Sequence, residues 1–159
     1  MNTTDSVEQS QSRGFSISLR VVSFIILAAA LFVSGYLTYQ KYSENEVTCP
    51  NTGKFDCGTV LNSAYAEMGG VPISLWGFVT NLVMVTLLVL ETRVEFFKPF
   101  GPTLVFGVIL FAFLFSIYLV YLQAFVIKAY CIWCLSHEAL MTLMFITTSI
   151  RLRNHLQES

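Results

Sequence analysis

The chain has 159 residues, 55% of them hydrophobic and 12% charged, with a net charge of −1 and a mean hydropathy of +0.65. That composition excludes an ordinary soluble domain of this length, and the absence of a basic excess excludes an electrostatic nucleic-acid binder. It implies an integral membrane protein.

The charges define the elements. No Asp, Glu, Lys or Arg lies between Arg20 and Lys41, between Glu67 and Glu91, between Lys98 and Lys128, or between Glu138 and Arg151. A helix needs roughly 20 apolar residues to cross about 30 Å of hydrocarbon, and the first three gaps meet that need. The fourth does so only if its helix starts near Tyr130, which places His137 and Glu138 about two turns inside. The expected fold is all-α: a four-transmembrane-helix bundle with spans at about 21–40, 72–90, 102–127 and 130–150. A 1–20 tail, an outer 41–71 loop and a 151–159 tail complete it.

The first apolar run, Val21 to Leu37, exceeds the roughly 7–15 residues of a signal-peptide core and follows a long polar stretch, so a retained helix is expected. With four spans, Arg13, Arg20, Arg93, Lys98, Arg151 and Arg153 share one side, and Lys41, Lys54 and Lys128 the other. The positive-inside rule then puts both termini and the 91–101 loop in the cytoplasm, as in a bacterial inner membrane. All four cysteines face outward, onto a side expected to be oxidising, either the bacterial periplasmic or extracytoplasmic side or the ER lumen, where disulfides persist.

The outer loop carries Cys49 and Cys57, with Pro50 and Gly53 between them as turn formers. Beyond Cys57, the apolar residues Val60, Leu61, Ala64, Tyr65 and Met68 recur at helical spacing. Thr59 as N-cap and Gly69-Gly70 as stop complete a short amphipathic helix, expected to lie on the outer membrane face and cover the bundle mouth. Thr59 and the glycine pair therefore set the expected bounds of this lid.

Cys131-Ile-Trp-Cys134 opens the last apolar helix. Two thiols at this spacing close a disulfide across one helical turn, and a helix N-terminus stabilises a thiolate. Lys128 adds a positive charge three residues before Cys131, or serves as an interfacial snorkelling residue. A structural Cys49–Cys57 bridge would stabilise by only about 2.6 kcal/mol through loop entropy, and a Cys131–Cys134 bridge by less, so redox chemistry is the better reason for the pairs. Haem attachment is excluded because Leu135, not His, follows Cys134. A four-cysteine zinc site would require the loop to fold over the helix, and the unequal spacing does not resemble a zinc knuckle; no metal is expected.

Three runs together carry a resemblance: Cys57-Gly-Thr-Val-Leu-Asn-Ser63-Ala-Tyr65, Gly70-Val-Pro72-Ile-Ser-Leu-Trp-Gly77 and Tyr130-Cys131-Ile-Trp-Cys134. Over about Val21 to Ile150 the chain resembles the vitamin K epoxide reductase family, in particular its stand-alone bacterial members. The resemblance implies a four-helix bundle around a quinone, ubiquinone or menaquinone. It also implies an electron route. A periplasmic or extracytoplasmic thioredoxin-like partner, of the kind that forms disulfides in secreted proteins, reduces the Cys49–Cys57 bridge through Cys49. Cys57 passes the electrons to Cys131, and Cys134 delivers them to the quinone. Exchange along this route passes through both a Cys49–Cys57 and a Cys57–Cys131 bridge, and either is a candidate resting pair. Ser63 matches the family serine that supports the loop and site. Ile73 stands where the animal branch has its quinone-binding asparagine, and Glu138 where it has a tyrosine, so plain quinone reduction is expected rather than epoxide reduction. The thioredoxin-like domain that some relatives carry fused is expected to be a separate partner here.

Ionisable groups inside a span are functional candidates. His137 is a candidate proton relay to a quinone oxygen or a helix-bridging residue, and Glu138 is a functional candidate that otherwise pairs with His137 or faces away. Among 14 Phe, 7 Tyr and 2 Trp, Trp133 and Trp76 are the candidates for walling a flat ring, though Trp76 also suits an interfacial belt. Asn81, in mid-span, is expected to bond between helices. The sequence thus predicts a membrane oxidoreductase that couples dithiol oxidation to quinone reduction. The alternative is a non-catalytic membrane subunit stapled by two disulfides.

Overall fold

The computed structural model describes residues 3–43, 49, 53–94 and 100–158. Pro50, Lys98 and the side chain of Arg13 lie outside what is described. Among the described residues four long helices dominate: α1 (Thr3–Tyr42), α3 (Ile73–Arg93), α4 (Gly101–Tyr121) and α5 (Ile132–Glu158). Three segments are long and apolar enough to cross a membrane: Ser18–Tyr42, Ile73–Glu91 and Gly101–Ile127. These are the three long charge-free gaps of the sequence. α5 falls short of that standard because Ser136, His137 and Glu138 interrupt its apolar run.

The helices pack around Leu27, Ala30, Met84, Leu88, Val105, Ile109, Met141 and Met144, all buried and drawn from all four helices. Serine and threonine hydroxyls within the helices donate to carbonyls four residues back, as Thr148 does to Met144 at 2.8 Å. Such back-bonding removes the cost of a hydroxyl in an apolar medium. At one end the bundle is closed by charge. The buried Glu91 carboxylate of α3 accepts from Arg151 of α5 at 2.8 and 3.1 Å and from Arg20 of α1 at 3.1 Å. α4 begins against the same carboxylate: a Cβ on Gly101 would stand 2.7 Å from Glu91 Cγ, so glycine is what lets the two helices meet there.

At the other end the connection between α1 and α3 differs from the expected amphipathic helix. Asp56, not Thr59, is the N-cap, since its carboxylate accepts from the Thr59 amide at 2.9 Å and the Thr59 hydroxyl at 2.6 Å. The resulting helix, α2, is only Cys57–Leu61. The glycine pair does not stop a helix. Gly69 and Gly70, at φ of 63° and 79°, form the turn of a two-stranded hairpin, β1 (Glu67–Met68) on β2 (Val71–Pro72), with Glu67 opposite Pro72. Two successive positive φ values are what a tight hairpin turn of this hand demands. The apolar spacing of Val60, Leu61, Ala64, Tyr65 and Met68 thus belongs to one helical turn, a bend and a hairpin. Lys41, at the end of α1, ties the connection down by donating to the Leu61 carbonyl at 3.0 Å and pairing with Glu67 at 3.2 Å.

Candidate functional site

The segment before α5 prepares the site. α4 runs into a π-helical turn, Leu122–Ile127, which ends on Lys128 in the left-handed conformation at φ 58°. A π turn rotates side chains away from the register of the preceding α-helix. Here it accompanies a buried Gln123 whose side-chain oxygen accepts from the Cys131 amide at 3.0 Å. The left-handed residue then reverses the chain into an extended Tyr130. Lys128 itself is exposed.

The extended stretch receives the cysteine loop. Tyr130 donates to the Lys54 carbonyl at 2.9 Å and accepts from the Asp56 amide at 3.0 Å, while the Phe55 and Tyr130 rings lie 6.1 Å apart. Asp56 and Tyr130 each precede a cysteine, so this pairing brings Cys57 and Cys131 into one buried cluster with Val33, Leu37, Val60 and Ala129. Both cysteines are fully shielded from solvent. Cys57 is bonded to Cys49, with their Cα atoms 6.0 Å apart, whereas Cys131 and Cys134 are free thiols. Of the two candidate resting bridges, the structure contains Cys49–Cys57.

Cys131 occupies the position just before α5, and its sulfur accepts from the Cys134 amide at 3.3 Å. It therefore acts as the helix cap, where the unpaired N–H groups of the first turn favour negative charge. Outside the membrane segments, the Thr59 hydroxyl and amide hold the Asp56 carboxyl below the usual carboxylate range, which keeps the α2 cap ionised. The Ser63 hydroxyl donates to the Val60 carbonyl at 2.9 Å, closing the turn that follows α2.

Beneath the loop lies a cavity of about 400 Å³, lined by residues of α1, the α2–hairpin connection, α3, α4, the π turn and α5. Cys134, His137 and Glu138 line it from α5, Ser63 from the connection and Trp76 from α3, with Ile73 also in the wall. Trp133 lies elsewhere: its ring packs 4.8 Å from that of Tyr36 on α1, and it is not part of the wall. Trp76 is half exposed at the rim. Asn81 is fully buried behind the wall and joins three helices, contacting Ser34 of α1 at 3.3 Å and His137 of α5 at 3.1 Å.

Sequence reasoning did not single out Gln123, or Glu91 as a meeting point of three helices. A lone amide in the apolar run 102–127 was the available signal for the first. Glu91 appeared only as the charge that ends a span.

The cavity suits a flat, mostly apolar molecule with polar groups at its edge. Its size lies within the range of small-molecule sites, and its wall is hydrophobic apart from a few convergent polar groups. The buried Glu138 Oε2, which has no hydrogen-bond partner among the described residues, is one of these. Fold and site together define a helical membrane protein in which a disulfide-bearing loop is paired over a dithiol at the wall of an apolar cavity. The profile of the vitamin K epoxide reductase family matches residues 21–149, and the chain belongs to that family. Among curated proteins, the thiol-disulfide oxidoreductase LTO1 of Arabidopsis thaliana is 44% identical over 54 residues, which cover 34% of this chain and 14% of that protein. The matched stretch is thus a small part of the relative's length.

Proposed function

We propose that this protein is a membrane dithiol:quinone oxidoreductase that reoxidises a thioredoxin-like partner. The observation that carries the reading is the pairing of Asp56 and Lys54 with Tyr130, which joins the disulfide loop to the free Cys131–Cys134 dithiol above an apolar cavity. The family membership supports the reading, and the relative's name, a thiol-disulfide oxidoreductase, agrees with it.

The sequence of steps follows from accessibility. Cys49 is the less buried member of its pair, so a partner thiolate attacks there and leaves as a disulfide, reducing Cys49 and Cys57. Cys57, within the same buried cluster as Cys131, exchanges with an oxidised Cys131–Cys134 pair, which becomes the dithiol. This returns the loop to Cys49–Cys57, the arrangement of sulfurs in the structure. A lipid quinone, ubiquinone or menaquinone, supplies a two-electron, two-proton sink when bound. Cys134, the cysteine at the cavity wall, is the donor to it, and Cys131 closes the new disulfide. Ser63 and Lys41 hold the loop down over the cavity and limit entry of water. Trp76 flanks the mouth, and His137 offers a ring N–H at the wall. The balance is one partner dithiol and one quinone consumed for one partner disulfide and one quinol formed.

In the membrane, α5 is the fourth span, with His137 and Glu138 facing the cavity. Both termini and the charge cluster at Glu91 lie on the cytoplasmic side, and all four cysteines lie on the oxidising face, by the distribution of Lys and Arg. For a bacterial inner membrane that face is the periplasm.

The test is turnover by variants in lipid nanodiscs. Cys131→Ser and Cys134→Ser each abolish quinone reduction by a dithiol while leaving the protein folded; retained turnover in either sinks the reading. Cys49→Ala loses turnover with a protein dithiol but keeps it with a small dithiol that enters the cavity and reduces the Cys131–Cys134 bridge at Cys134. A scaffold stapled by disulfides gives no quinone-dependent thiol oxidation in any of these assays.

A further inference from the structure

Two neighbouring ionisable groups on the cavity wall differ in what their hydrogen bonds leave free. His137 is committed. The Ser34 hydroxyl donates its proton to the Ala30 carbonyl at 2.8 Å, so its oxygen presents a lone pair to Asn81. The Asn81 amide must answer with its NH2 group, 3.3 Å away. That same NH2 then donates to His137 Nε2 at 3.1 Å, which makes Nε2 an acceptor and leaves the ring proton on Nδ1. The basic lone pair of His137 is engaged, so a thiol proton reaches this ring only by displacing the Asn81 amide.

Glu138 is in the opposite condition. The residue is 9% exposed, its Oε2 is buried and unpartnered among the described residues, and it lines the same cavity as Cys134. The two residues are four apart on α5, one turn along the same face. Other titratable groups at the cavity wall are His137, Lys41 of α1 and Tyr65 of the connection; α3, α4 and the π turn contribute none. Lys41 is engaged by the Leu61 carbonyl and Glu67. Glu138 is therefore the one carboxyl at the wall on the helix face of Cys134.

We propose that Glu138 is a catalytic base that takes the Cys134 proton and delivers it to the cavity's electron acceptor, with His137 fixed by Asn81 as a neutral hydrogen-bond donor. This rests on the reading of the protein as a dithiol:quinone oxidoreductase. As the Cys131–Cys134 bond forms, two S–H bonds break and two electrons pass to the quinone. The Cys134 proton moves to the Glu138 carboxylate and from there to a quinone oxygen. The Cys131 proton leaves to water, and one proton from water completes the quinol.

The experiment follows oxidation of the prereduced protein in nanodiscs by a short-chain benzoquinone, read from quinone absorbance across pH, with the rate constant at saturating quinone taken as kcat and the half-saturating concentration as KM. Glu138→Gln, which keeps the shape and loses the proton site, is expected to lower kcat by about 10²-fold and flatten the pH profile, with KM unchanged. Glu138→Ala is expected to be equally slow and to recover with added formate, which fits the vacated space and carries a proton. An unchanged kcat and pH profile in Glu138→Gln overturns the proposal, as does a loss confined to KM. Formate leaving Glu138→Ala as slow as before also overturns it, and this arm decides the matter if the glutamine variant does not fold. If the unsubstituted protein itself does not reduce the benzoquinone, the oxidoreductase reading fails. If it does and Glu138→Gln equals it, only the role of Glu138 fails.

Discussion

The two ends of the bundle are held together by opposite means. At one end a single buried carboxylate, Glu91, joins α1, α3 and α5 through two arginines, with α4 packed against it at Gly101. At the other, backbone pairing at Tyr130, neutral contacts through Gln123 and Ser63 and a solvent-accessible Lys41–Glu67 pair hold a loop whose covalent bond can exchange. A buried ion cluster resists rearrangement because separating its members strands a charge in low dielectric. Neutral hydrogen bonds at a sulfur site fix position without fixing which sulfur is bonded to which. One end thus keeps the frame constant while the other passes electrons, and substitutions at the two ends should separate stability from turnover.

The largest separation is expected at the charged end. Glu91→Ala leaves Arg151, itself buried, without its partner and should destabilise the fold by about 3–5 kcal/mol. Thermal unfolding in detergent reads the loss, while turnover per folded molecule stays close to that of the parent protein. A variant with normal stability and impaired turnover would reverse the assignment of roles. Gln123→Leu is expected to affect both properties. It leaves the buried Cys131 amide without an acceptor, a cost of about 1–3 kcal/mol, and frees Cys131 from the position in which Cys57 meets it. Parallel measurement of unfolding and of exchange between the two cysteine pairs tests this; normal exchange in a destabilised protein would show that Gln123 only supports the π turn.

The difference between the ends also explains what was legible in the sequence. Long stretches free of charge mark the three most apolar helices, because hydrocarbon tolerates few exceptions over that length. The four cysteines stand out by spacing. The α2 region was misread because apolar periodicity is a local signal that several turns can satisfy. Its outcome was decided by Asp56, a better cap one turn earlier, and by two glycines suited to a hairpin. The π turn, the left-handed Lys128 and the Gln123 contact leave no pattern in composition, since they arise only where α4 must deliver the chain to the cysteine loop. Glu91 was visible as a charge, but its two arginines lie 71 and 60 residues away in sequence. Only the packed bundle brings them together.

The smallest expected effect sharpens the comparison at its exposed edge. Asp56 caps α2 through a carboxylate whose proton affinity is lowered by the Thr59 hydroxyl and amide, and its own amide donates to Tyr130. A carboxyl with a lower pKa in the folded state than in the unfolded one stabilises the fold above the unfolded value, near 3.9, and loses that contribution as pH falls through the folded value. Acid should therefore loosen the loop that carries Cys57. A phosphine, which reduces disulfides without a thiolate, can follow the Cys49–Cys57 bridge below about pH 4. In the parent protein its reduction should accelerate as the cap is protonated. Asp56→Ala should be reduced quickly throughout, and Asp56→Asn, which keeps a neutral acceptor, should show no acceleration. Parallel pH profiles for all three proteins would mean that the cap does not govern access to the bridge, and that the Tyr130 pairing holds the redox end unaided.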